Sequence, residues 1–174
     1  KHIFSSPNKN LTNTKSLRIM SFNIYYHNKN YNQIINEIQK HRADIVVLIE
    51  AKSQMETSLK FIKKDYPYVC SNNHDNKSDI IVLSKKKITS TKIILLASKK
   101  NPMIKIKIDT GDSTIIDCYC VHLTNPLTPK GFKTRNTELM NLISELKREK
   151  KNPQIVVGDF NITPWSFYFK DLTI

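Results

Sequence analysis

Residues 155–165 read IVVGDFNITPW. With Gln154 before them, Ile155, Val156 and Val157 form a short β-branched run that predicts a buried strand and is too brief for a helix. Gly158 is expected to stop that strand and let the backbone turn sharply. Asp159 and Asn161 then leave the strand end two residues apart. A carboxylate and a carboxamide on one side of a tight turn can bind a hard cation or orient a water beside a phosphate. A lone G-D-x-N is also the ordinary composition of an Asx turn closing a strand. Its meaning therefore depends on what the rest of the chain brings to it.

Three other apolar runs end on a polar residue. Leu17–Phe22 ends on Asn23, Ala43–Ile49 on Glu50 and Thr114–Val121 on His122. The carboxyl ends of strands in an α/β layer structure gather at one edge, and ligands bind there. Asn23, Glu50, His122, Asp159 and Asn161 are thus expected to meet. Helices fall between the strands. Tyr31–His41 places Ile34, Ile35 and Ile38 on one face, and Ser53–Lys64 spaces Met55, Leu59 and Ile62 helically. Ser53 followed by Glu56 is a capping-box pattern. Gly131–Lys150 is the longest helix, with Leu139, Leu142, Ile143 and Leu146 as its buried stripe. The basic run at its end (Lys147, Arg148, Lys150, Lys151) suits the helix dipole. Tyr68–Cys70, Asp79–Ser84, Ile88–Leu96 and Met103–Ile108 read as further strands, with a hairpin turn at Asp109–Ser113. Trp165–Leu172 reads as the start of another helix, and residues 1–16, polar and aperiodic, as a flexible lead-in. One domain, 17–174, remains.

Composition narrows the function classes less than the motifs do. A chain of 174 residues can bury a real core, and no apolar run approaches the roughly 20 residues that a membrane-spanning helix needs. The net charge of +13 points to an anionic partner, but it is carried almost wholly by lysine, with arginine only at 18, 42, 135 and 148. Arginine is the residue best suited to bidentate phosphate contacts. Cys70, Cys118 and Cys120 lack metal-type spacing. Cys118 and Cys120 share a strand face, so all three are expected as thiols.

Together the five polar groups make a recipe for metal-assisted phosphoester hydrolysis. Glu50 with Asp159 nearby supplies oxygen ligands for one Mg²⁺, which keeps several waters and completes its shell on phosphate. Asp159, hydrogen-bonded by Asn161, can hold the attacking water, while His122 and Asn23 donate to the non-bridging oxygens.

The successive segments SFN (21–23), IVVLIE (45–50), SDIIVLSK (78–85), CVHL (120–123) and VVGDFNITPW (156–165) resemble the motifs of the endonuclease/exonuclease/phosphatase superfamily. The resemblance covers residues 17 to about 172. It implies an α/β, DNase I-like four-layer αββα sandwich of two mixed β-sheets flanked by helices. It assigns Glu50 to a Mg²⁺ (with Mn²⁺ as a substitute), Asp159 and Asn161 to the nucleophilic water, and Asn23, His122 and Asn161 to the substrate phosphate. Asp79 stands where such proteins usually carry Gly. The resemblance also implies a final Asp–His pair some tens of residues after GDFN, and no histidine follows Asn161 here. The expectation is therefore a catalytic domain lacking its C-terminal part and an open apolar sheet edge, inactive as a fragment if the missing histidine is essential. The substrate is expected to be a phosphoester, whether nucleic acid, phosphorylated lipid or small molecule. The competing expectation is a non-catalytic remnant that binds nucleic acid or other polyanions through its lysines. Loops 71–77 and 124–130 are the candidates for specificity.

Overall fold

Alternation along the central strands sets the layers. In the computed structural model, which describes residues 16–72, 79–97 and 101–170, the run Ile45–Ile49 (β2) is buried on both faces. Its odd-numbered residues Ile45, Val47 and Ile49 face a second sheet, while Val46 and Leu48 face helices. β2 lies between β1 (Ile19–Asn23), parallel to it, and β4 (Ile80–Ser84), antiparallel. β3 (Tyr68–Ser71) completes the first sheet in the order β1-β2-β4-β3. The second sheet runs β5 (Lys87–Ile94), β6 (Met103–Asp109), β7 (Ile115–His122), β8 (Gln154–Asp159), with β7 and β8 parallel.

Between the sheets, Ile45, Val47, Ile49, Ile80 and Val82 meet Ile104, Ile106, Ile108, Cys118 and Cys120. Helices α1 (Tyr31–His41) and α2 (Ser53–Leu59) cover the outer face of the first sheet through Ile34, Ile35, Ile38, Met55 and Leu59. Helix α3 (Pro129–Arg148) covers the second through Leu139, Leu142, Ile143 and Leu146, packed on Met103, Tyr119 and Val121. This is the αββα sandwich of two mixed sheets expected from the sequence. Each fully buried Ile, Leu or Val contributes about 1.5–3 kcal/mol. The C-terminal end of α3 is also tied to the sheet by Lys105, 3% exposed, which ion-pairs with Glu149.

Several local expectations need correction. Lys52, not Ser53, is the N-cap of α2, and it makes no side-chain cap bond. Glu56 instead accepts a hydrogen bond from the Ser71 hydroxyl (3.0 Å), so a contact with β3 replaces the capping box. The helix tightens at Lys60–Ile62 into a 3-10 turn rather than continuing to Lys64. α3 starts before Gly131, because the Thr128 side chain accepts from the Gly131 N–H and Pro129 suits the first turn. Gly158 does not stop β8, which runs on to Asp159. A Cβ at 158 would lie 1.9 Å from the carbonyl oxygen of Val121, its partner on β7. The glycine is there for close approach, not for a turn.

Cys118 and Cys120 are buried free thiols with sulfurs 3.9 Å apart, and Cys70 is a half-buried thiol. A short helix α4 (Phe167–Lys170) follows the GDFN turn. The lead-in expected over residues 1–16 (all but Ser16), most of the 71–77 loop and the end of the last helix lie outside the described residues. No helix among the described residues is long and apolar enough to cross a membrane.

Candidate active site

Because β1 is parallel to β2 and β7 to β8, their carboxyl ends fall at one edge of the sandwich. The Asn23 amide nitrogen bridges two carboxylates there, donating to Glu50 Oε1 (2.6 Å) and Asp159 Oδ2 (3.3 Å). Glu50 Oε2 accepts from the Tyr26 backbone N–H (2.8 Å), and Asn23 Oδ1 from the Tyr25 N–H (2.9 Å). Glu50 itself sits in the left-handed region at φ 59°. For a glutamate that conformation costs about 1–3 kcal/mol, a strain that concentrates at functional sites.

Asp159 and Asn161 are joined through the backbone: the Asn161 N–H donates to Asp159 Oδ1 (2.9 Å). The Asn161 side chain turns to the other loop and donates to the Leu123 carbonyl (2.7 Å). His122 stands opposite Asp159 in the β7–β8 register but bonds to neither carboxylate of the Asn23 cluster. Its Nδ1 meets both oxygens of Asp79, at 2.8 and 2.9 Å. That contact engages Nδ1 and not Nε2.

Asp79 is the residue that strand-end reasoning missed. β4 runs antiparallel to β2, so the residue before its start lies level with the end of β2. Ile80 pairs with Ile49, and the Asp79 carbonyl accepts from the Ala51 N–H (3.1 Å). The available signal was an acid directly preceding an apolar strand. Asn72 fixes the strand start, its Oδ1 accepting from the N–H groups of Asp79 and Ile80.

Burial disfavours charge on His122, but the Asp79 hydrogen bond and the negative charges of Asp79, Asp159 and Glu50 outweigh it. The imidazole pKa is raised above its ordinary value. Linkage then fixes a sign. A raised folded-state pKa contributes stability that is fully present below the unfolded value of about 6.5 and is lost as pH rises through the folded value. Asp79→Asn is therefore expected to lower the melting temperature more at pH 6 than at pH 9. Equal losses at both values would show that the charged pair does not form.

Two clefts flank Asp159. One, of about 520 Å³, lies between the edges of β1 and β8 and is lined by Phe22, Asn23, Ile49, Val157 and Gly158. The other, of about 550 Å³, is lined by Phe132, Arg135, Asn161, Thr163 and Ser166. Among the described residues no three His, Cys, Asp or Glu side chains group as a metal-ligand set. The donors present, Glu50 with Asp159 beside it, are hard oxygen ligands of the kind that suits a hard divalent cation whose shell is completed by water and phosphate oxygens. They do not match a closed structural zinc site.

The profile of the Endonuclease/Exonuclease/phosphatase family matches residues 20–174. Among solved structures, a D. rerio TDP2 complexed with single strand DNA product superposes with a TM-score of 0.76 at 17% identity, covering 90% of this chain and 64% of that one. A humanized D. rerio TDP2 gives 0.73 at 19% identity, covering 84% and 63%. The human Nocturnin catalytic domain with bound sulfate gives 0.73 at 18% identity, covering 88% and 68%. The chain thus spans just under two thirds of the length of these TDP2 structures. These likenesses bear on the fold. No curated protein matches by sequence.

Proposed function

Since the chain belongs to the endonuclease/exonuclease/phosphatase family, we propose that its strand-end site hydrolyses phosphoesters with the help of a divalent metal. The observation that carries this reading is the hydrogen-bonded group Glu50–Asn23–Asp159 beside the His122–Asp79 pair. Glu50 would hold a Mg²⁺ or Mn²⁺, which when bound supplies charge neutralisation at the phosphoryl oxygen.

The remaining chemistry belongs to side chains of this protein. Asp159, one oxygen held by the Asn161 N–H, orients the attacking water and takes up its proton as the water oxygen bonds to phosphorus. The P–O bond to the ester group breaks, and the departing oxygen takes a proton from solvent. His122, its Nδ1 locked on Asp79, donates from Nε2 to a non-bridging oxygen as negative charge builds there. Asn23 and Asn161 position the phosphate from the two sides of Asp159. Nucleic acid is one substrate class consistent with this reading, supported by the DNA product in the TDP2 structure. A phosphorylated lipid or small molecule uses the same chemistry.

Hydrolysis of bis-p-nitrophenyl phosphate tests the proposal. Turnover is expected with Mg²⁺ or Mn²⁺ and should disappear with EDTA. A folded, metal-binding chain without turnover would overturn it. Salt-sensitive polyanion binding that survives both EDTA and Asp159→Ala would favour a lysine-mediated binding role instead.

A further inference from the structure

Helix α3 carries two charged side chains that packing alone does not explain. Arg135 is 4% exposed and Glu138 is fully buried. They stand three residues apart and so share a helix face. Among the described residues neither forms an ion pair. A buried charge without a counter-ion is costly, and stability alone would favour Leu or Met at both positions. Their bonds go elsewhere. Arg135 Nη1 donates to the carbonyl of Asn161 (3.0 Å), its guanidinium lies 5.2 Å from the Phe132 ring centroid, and its Nε is buried without a hydrogen-bond partner among the described residues. Glu138 accepts from the Thr124 N–H (2.7 Å) and from the Thr124 hydroxyl (2.8 Å).

Each side chain thus serves one of the two loops that carry the site. Arg135 holds the turn of Asp159 and Asn161, in which Asn161 is left-handed at φ 48°. Glu138 holds the segment two residues beyond His122. The loops are also tied to one another, because the Leu123 N–H donates to the Asp159 carbonyl (2.8 Å) and the Asn161 amide to the Leu123 carbonyl (2.7 Å). We propose that Arg135 and Glu138 are positioning residues, a two-point clamp on α3 that fixes Asp159 and Asn161 relative to His122. The inference rests on the hydrolytic reading of that site. The clamp acts through loop geometry, where a displacement of about 1 Å can cost about 10²-fold in rate.

The test compares Arg135→Met and Glu138→Met with Arg135→Lys and Glu138→Gln in the full chain. Lysine can still donate to the Asn161 carbonyl. Glutamine can accept from the Thr124 N–H and donate to its hydroxyl. The methionine variants are expected to lower kcat for bis-p-nitrophenyl phosphate by about 10–10²-fold with KM nearly unchanged, and the conservative variants should restore most of it. Arg135→Met should shift the amide resonances of Asp159–Asn161, and Glu138→Met those of Leu123 and Thr124. Unchanged kcat in folded methionine variants, or no rescue by Lys and Gln, would overturn the clamp.

If a methionine variant does not fold, Thr124→Val removes one clamp bond, together with the 3.4 Å contact from the Asn101 amide, without altering α3. It should lower kcat and leave KM, and an unchanged kcat counts against the proposal. A wild-type chain with no turnover would remove the hydrolytic reading only. The clamp would then stand or fall on whether the loop resonances move and return with the conservative variants.

Discussion

Replacing Asp159 with asparagine is expected to lower Mg²⁺-dependent hydrolysis of bis-p-nitrophenyl phosphate by about 10²–10⁴-fold, the range typical of removing a general base. The substitution is close to isosteric. Its carbonyl oxygen can still accept from the Asn161 N–H, now 2.9 Å from Oδ1, so the turn should keep its shape. What disappears is the negative charge proposed to take a proton from water, and with it the acceptor 3.3 Å from the Asn23 amide, whose place an NH2 group takes. The loss should therefore appear in kcat, with a melting temperature within a few degrees of wild type. A decrease of less than tenfold in a folded Asp159→Asn chain would remove Asp159 from the role proposed for it. The activating group would then have to be sought among the neighbours of His122.

The largest expected effect on folding is that of Gly158→Ala. A single methyl group there meets three backbone atoms of Val121, the carbonyl oxygen at 1.9 Å and the carbonyl carbon and amide nitrogen at 2.9 Å. No side-chain rotation relieves a clash with backbone. Gly158 also holds φ 139°, where an alanine is strained by about 1–3 kcal/mol even in open space. Relief requires β8 to move away from β7, breaking the pairing that sets His122 opposite Asp159. A destabilisation above about 4 kcal/mol is expected, in the exceptional range for a point change and a large part of the roughly 5–15 kcal/mol that holds a domain together. Urea unfolding of the variant beside wild type measures it. A loss below about 1 kcal/mol would mean that β7 and β8 do not pair in this register.

Much of this molecule can be read from neighbouring residues alone. The apolar run Ala43–Ile49 and the helical stripes of Ile34, Ile35, Ile38 and of Leu139, Leu142, Ile143, Leu146 predict the layers. Those same residues form the cores on either side of the sheets. Such patterns survive because each is written in one continuous stretch, at a period that the backbone imposes. The strand-end rule likewise brought Asn23, Glu50, His122 and Asp159 to one edge, since each follows an apolar run.

Tertiary structure decided the rest. Asp79 joins the site because β4 is antiparallel and begins where the others end, and strand direction is not encoded in the strand itself. The Asn161 side chain serves Leu123 rather than Asp159, and Glu56 serves Ser71 rather than a helix cap. In each case a partner far along the chain outbids the local one. Arg135 and Glu138 stand four residues before Leu139 and Leu142, on the face that α3 buries, but only the fold brings back the loops that they meet there. Periodicity specifies which face of an element is apolar. Only the register between elements distant in sequence specifies which polar group each side chain will meet.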